Sequence, residues 1–179
     1  MAELNRDRVH RELLDAPADF QALLSAATPD ALRRRTNGTR WTNREMLFHL
    51  LFGYLVVRTL LPLVWLMSRL PPGVGRGFAA VLNSLARPFH VVNYLGSVIG
   101  GHLWSLRMMG WLFDRSCEGL ARRLARTSEA ELYRAMPFPP RWDPFFTDHM
   151  TLLAVYHYPA QHYGFHRRQL TLDYSTTWP

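Results

Sequence analysis

Trp41-Thr42-Asn43-Arg44-Glu45, running straight into an apolar stretch that contains His49, is the segment from which the fold can be read. Thr42 can accept a hydrogen bond from the amide three residues on, and Glu45 can reach back to the Thr42 amide. That reciprocal pairing is a capping box, and a capping box in front of an apolar run marks the first turn of a helix. His49 then lies two turns inside it. The apolar run continues from Leu50 to Met67 with few polar interruptions. Its length approaches the roughly 18 to 20 apolar residues that cross a bilayer. Arg58 near its middle would cost about 2.5–3.5 kcal/mol on insertion, and Pro62 would release a backbone bond. The segment therefore reads as the core helix of a bundle, with shallow contact with a membrane surface as the alternative.

Working outward, Asn5 to Ala27 carries Val9, Leu13, Leu14, Phe20, Leu23 and Leu24 at helical spacing, with Pro17 expected to bend or split it. Thr28-Pro29-Asp30 opens a short turn, and Asn37-Gly38 signals another. After Pro71-Pro72-Gly73 a second short helical pattern follows. Pro88 to Gly101, with Gly96, Gly100 and Gly101, reads as a mobile or tightly packed connection. His102 to Arg126 is helical by pattern. Pro137 to Pro144 is a proline-rich connector carrying Trp142, and the last helix is expected from about Thr147-Asp148 to Leu172, kinked at Pro159. No segment alternates convincingly as a strand. The class is all-α, and the length suits one domain over residues 1–179.

Composition narrows the chemistry. All 21 basic residues are arginine, against 14 acidic ones, for a net charge of +7. Without lysine there is no Schiff base, no phosphate-loop lysine and no lysine general base. Between Glu45 and Asp114 there is no carboxylate at all but five arginines, so a paired-carboxylate mechanism would draw on the two ends of the chain. The arginine clusters read as solvated faces, since none is interleaved with stacking aromatics as in a nucleic-acid reader. The single cysteine, Cys117, has no internal partner, and the charged start lacks the apolar core of a secretory signal. A cytoplasmic location is the expectation.

Of the eight histidines, His10, His90 and His102 read as ordinary polar residues. His149 and His157 point away from the other pair in the last helix on an ideal wheel. His162 and His166, four apart, put two imidazoles on one helical face. The intervening Tyr-Gly-Phe supplies no glutamate, so the zincin pattern with its built-in general base fails. A third nitrogen ligand has to come from another helix, and His49 is the best candidate. Tyr158, one turn earlier, and Gln169, on the same face, are candidates to orient a ligand or position substrate. Arg58 could meet an acidic substrate or extend its head to solvent.

Trp41-Thr42-x-x-Glu45-x-x-x-His49-Leu50 and His162-x-x-x-His166-Arg167-Arg168-Gln169-Leu170 together resemble the two signature ends of the DinB-like superfamily. The resemblance implies a four-helix bundle, often a homodimer, with one histidine on the second bundle helix and two on the last. It assigns the metal role to His49, His162 and His166, with zinc, nickel or iron as the ion. It also implies a small-molecule substrate handled by a transferase, isomerase or hydrolase, some relatives using a low-molecular-weight thiol. Leu51 to Gly101 departs from the usual layout as an extra apolar helical insertion between helices two and three. The alternative is a metal-binding bundle without catalysis, acting as a structural, ligand-binding or membrane-surface module. Nothing in the sequence supports action on DNA.

Overall fold

The capping box forms as the sequence dictates in the computed structural model, which describes residues 4–173. The Glu45 amide donates to Thr42 Oγ1, and the Thr42 amide donates to Glu45 Oε2 at 2.7 Å. Helix α3 (Asn43–Met67) follows. Before it come α1 (Arg6–Ala26) and the short α2 (Pro29–Arg33); after it come α4 (Pro72–Ser84), α5 (Ala86–Leu103), α6 (Leu106–Arg126) and the one-turn α7 (Glu129–Leu132). A ribbon of β1 (Ala135–Pro137) and β2 (His149–Thr151) leads into α8 (Leu152–Arg167).

The long helices close a ring of contacts: α1 packs on α6, α6 on α3, α3 on α8, and α8 back on α1. That ring is a four-helix bundle, and α4 and α5 are the apolar insertion between its second and third helices. Helix α5 lies along α3, while α4 touches β1. Aromatic side chains fill the middle of the bundle. Phe20 stacks on Phe113 at 4.1 Å between ring centres, and Tyr54 and Tyr163 close around them. The Arg167 guanidinium grips the Asp19 carboxylate with two bonds, and Tyr163 donates to the same group, which ties α8 to α1 through a largely buried pair.

Several expectations need correction. Pro17 does not split α1, which runs unbroken from Arg6 to Ala26; packing on two neighbours outweighs the roughly 3 kcal/mol that an interior proline costs. The last helix begins at Leu152 and ends at Arg167, inside the anticipated 147–172. Residues 149–151 pair antiparallel with 135–137 instead, a long-range pairing that local pattern does not reveal. Of the two readings of Pro88 to Gly101, the tightly packed one holds and the mobile one does not, and the whole segment is helical in α5.

The glycines of α5 explain why. A Cβ at Gly100 would overlap the Phe48 ring, and one at Gly101 would sit 3.0 Å from Glu45 Cα. Small residues here let α5 approach the first turns of α3 closely. Arg44 of α3 locks the crossing by donating to the Gly101 and Trp104 carbonyls.

Candidate metal centre

Each wall of the site follows from a local feature. The Thr42–Glu45 cap fixes where α3 starts and therefore the depth and direction of His49. Helix α8 carries His162 and His166 on one face, and it lies against α3. The ring centres are 4.8 Å apart for His49–His162, 4.6 Å for His49–His166 and 4.5 Å for His162–His166. One nitrogen from each ring falls within 4.8 Å of the others. His49 and His162 are buried and His166 is half-buried. Gly53, one turn after His49, makes room for this: a Cβ there would lie 2.9 Å from His162 Nδ1.

Two of the three rings are oriented by protein partners. Ser97 Oγ donates to the Asn93 carbonyl at 2.8 Å, leaving the oxygen to accept from His49 Nδ1 at 3.1 Å. His166 Nδ1 donates to Gln169 Oε1 at 2.7 Å. In both rings the Nε2 lone pair is thereby left available, the arrangement by which outer partners set the tautomer of a ligating histidine. His162 Nδ1 is buried with no hydrogen-bond partner. Leaving such a group unsatisfied costs about 1–3 kcal/mol.

Burial keeps the cluster uncharged. Desolvation first, then the neighbouring rings, hold His49 well below the ordinary imidazole range. The same causes bring His162 down to about 3, and burial also lowers His166. Three neutral imidazoles offer three lone pairs at neutral pH. The donor set thus fits a divalent cation, which would leave no buried charge repulsion and would give the set a common partner.

Around the histidines the surroundings are aromatic. Trp41 lies against His49 at 4.4 Å and presents its edge to His166, with Tyr94 stacked behind it. Tyr158 lies 5.5 Å from His162 and donates to Asp143 Oδ2 at 2.8 Å. Burial and the adjacent Asp143 push the Tyr158 hydroxyl well above the usual phenol range, so it keeps its proton; burial also raises Asp143. Tyr158 and Asp143 line an apolar cavity of about 220 Å³ bounded by α3, α4, α5 and the 136–146 connector. Tyr158 is the residue of that cavity wall that lies beside His162.

The sequence candidates therefore separate. His49, His162 and His166 come together; Gln169 holds one of them and Tyr158 stands beside another. Arg58 does not join them. It is exposed, more than two turns further along α3, beside Gly119 and near Arg122, Arg123 and Arg126.

Four participants were not picked out as candidates. Ser97 and Tyr94 sit in the glycine-rich stretch that reads in sequence as a connection, where a small-residue face on a helix is the available signal. Asp143 is hidden in a proline-rich connector. Asn43, fully buried, bonds Thr171 through both its amide oxygen and nitrogen, and also donates to the Ala31 carbonyl. That clamp fastens the segment after α8 to the start of α3 and so holds Gln169 near His166.

The family model described as the DinB superfamily matches residues 12–170, a span that includes all three histidines. No curated protein and no solved structure matches the chain.

Proposed function

The chain belongs to the DinB superfamily, and on that premise we propose that it is a divalent-metal-dependent enzyme acting on a small molecule, with His49, His162 and His166 as the ligands. The observation that carries this reading is the convergence of three neutral imidazoles from two helices, one of them with a buried nitrogen that no protein atom satisfies. Zinc, nickel and iron(II) all suit an all-imidazole set. Bound there, such an ion supplies Lewis acidity toward a thiol or a carbonyl oxygen.

The rest of the work falls to the chain's own residues. Ser97 and Gln169 hold two rings in the ligating tautomer. Trp41 and Tyr94 cover one side with aromatic surface and limit the entry of water. Tyr158 gives its one proton to Asp143, which fixes the ring beside His162 and leaves the phenol oxygen free to accept a hydrogen bond from a substrate. The apolar cavity beyond Tyr158 suits the non-reacting, hydrophobic part of the substrate. The reaction classes that suit such a site are transfer or isomerisation with a low-molecular-weight thiol, or hydrolysis; in either, no glutamate between His162 and His166 is present to act as base.

The test is elemental analysis of the purified protein beside a His162→Ala/His166→Ala variant. Near-stoichiometric zinc, nickel or iron that disappears in the variant is the expected result. Absence of metal from the wild type after reconstitution with each ion would overturn the reading.

A further inference from the structure

The large apolar side chains that stand exposed are not scattered. Among the described residues all but four of them (Leu14, Trp111, Tyr133 and Phe165) lie between Leu60 and Met108. They occupy the end of α3, helices α4 and α5 with their connections, and, with Met108, the first turn of α6. On α5 the pattern is regular. Val91, Leu95, Ile99 and Leu103 follow one another at four-residue spacing, one row along the helix, and Leu103 is 76% exposed and Ile99 54%. The opposite face of α5, with Ser97, Gly100 and Gly101, is the one that packs on α3. The outer row covers about 18 Å of helix at 1.5 Å per residue. A contiguous apolar surface of this kind on a soluble domain marks a contact.

Charge decides what it contacts. The row begins one turn after Arg87 and ends one turn before Arg107 in sequence, and Arg76 stands on α4. All three are exposed and make no ion pair among the described residues. The whole stretch from Met46 to Phe113 contains no carboxylate. A second copy of the chain meeting this face symmetrically would bring arginines to the contact with no acidic partner from the same stretch. A protein partner would have to supply all the negative charge itself. An anionic lipid surface supplies both requirements at once, a hydrocarbon boundary for the aliphatic row and phosphate for the guanidinium groups, in the manner of helices that lie in the interface plane.

We propose that the α4–α5 insertion, with the end of α3, docks the protein peripherally on an anionic lipid bilayer. Helix α5 lies in the interface with Val91, Leu95, Ile99 and Leu103 turned toward the acyl boundary, and Arg76, Arg87 and Arg107 reach the headgroups. The bundle and its histidines stay outside the hydrocarbon. Leu60 and Leu63 belong both to this surface and to the wall of the apolar cavity, so an apolar ligand dissolved in the bilayer meets the cavity wall at the docking face. The proposal is independent of the metal.

Vesicle co-sedimentation of the full chain tests it, with phosphatidylcholine alone against phosphatidylcholine containing phosphatidylglycerol, at low and high salt. The expected result is sedimentation with the anionic vesicles, weakened by salt. Neutralising two arginines in Arg76→Gln/Arg87→Gln lowers partitioning roughly 30-fold, at about 1 kcal/mol for each basic residue near the surface. Leu95→Asp/Ile99→Asp, at exposed positions and with unchanged helicity by circular dichroism, abolishes it. Failure of the wild type to sediment with anionic vesicles overturns the proposal. So does equal partitioning of wild type and Leu95→Asp/Ile99→Asp. Sedimentation velocity without lipid supplies the remaining arm: a wild-type dimer that this variant dissociates, with no vesicle binding, would assign the face to self-association instead.

Discussion

The two halves of α3 share a composition and differ in fate. From Asn43 to Val57 nearly every side chain is buried or half-buried, and that half carries His49 and Gly53; from Arg58 to Met67, Leu60, Leu63, Trp65 and Leu66 stand open beside Pro62. The whole helix is long and apolar enough to cross a membrane by length and hydropathy, yet only a third of its most apolar window is buried. What separates the halves is their neighbours. The first half has α5, α6 and α8 around it and small residues at the crossings; the second passes the end of the bundle. Hydrophobic content therefore reports that a segment needs a partner, and only the packing reports whether the chain itself provides one.

If the first half is a dry site built for neutral imidazoles, acid should act there most strongly. His162 has its folded pKa lowered to about 3 from 6.5, and His49 and His166 are lowered as well. Between those values the unfolded chain takes up protons that the folded chain refuses, so stability falls as pH drops below 6.5. Each such site contributes a slope of up to about 1.4 kcal/mol per pH unit. Asp143 and Asp114, raised by burial above 3.8, act in the opposite sense lower down. Urea titrations of the metal-free protein at descending pH should show a falling midpoint, and His162→Gln should flatten the curve. A midpoint that stays level from neutral pH to pH 5 in the wild type would contradict the dry, neutral cluster.

Helix α5 offers the same contrast within one turn. Gly100 abuts the Phe48 ring, whereas nothing lies within 4 Å of a Cβ built on Gly96. Gly100→Ala gains up to about 1 kcal/mol in helix propensity but must displace a buried aromatic ring from a packed crossing, which costs roughly 1–3 kcal/mol or more. The collision wins, and Gly100→Ala should destabilise. Gly96→Ala meets no obstacle and should stabilise by about 0.5–1 kcal/mol. Thermal denaturation of the two variants side by side gives the signs directly, and the same sign for both would mean that the close α3–α5 crossing is wrong.

Ser97 sharpens the comparison from the site outward. Its hydroxyl is the acceptor that fixes His49 Nδ1. Removing an outer partner of a ligating histidine commonly lowers metal affinity 10- to 100-fold. Competition of Ser97→Ala against a chromophoric chelator should show a loss of that size, with helicity unchanged. Affinity equal to wild type would leave Ser97 a packing residue only.

How much of this was legible beforehand depended on distance along the chain. The cap of α3 and the i,i+4 histidines are local, and the sequence displays them openly. Ser97, Tyr94 and Asp143 reach the site only through the α3–α5 crossing and the 136–146 connector, contacts with no local periodicity to betray them. Gly96, Gly100 and Gly101 left two readings open because glycine serves loops and close helix contacts equally. The β2 pairing at 149–151 shortened α8 for the same reason, since its partner lies in another segment. The exposed row of α5 was hidden for a different cause: a stretch that reads as a glycine-rich connection offers no helical face on which to line up Val91, Leu95, Ile99 and Leu103.

The smallest expected effect tests that last distinction. Leu95 is about half exposed and Leu50 is fully buried, though both are leucines on adjoining helices. Leu50→Ala should cost about 2–5 kcal/mol, as buried leucine truncations do. Leu95→Ser should change the stability of the protein in lipid-free buffer by no more than about 0.5 kcal/mol. The reason is that the free protein already leaves Leu95 in contact with water, so its removal forfeits little. A loss of several kcal/mol that grows with protein concentration would mean that the row is covered in solution by another copy, because stability linked to association depends on protomer concentration. A near-zero change at every concentration leaves the face uncovered until something other than the chain itself arrives.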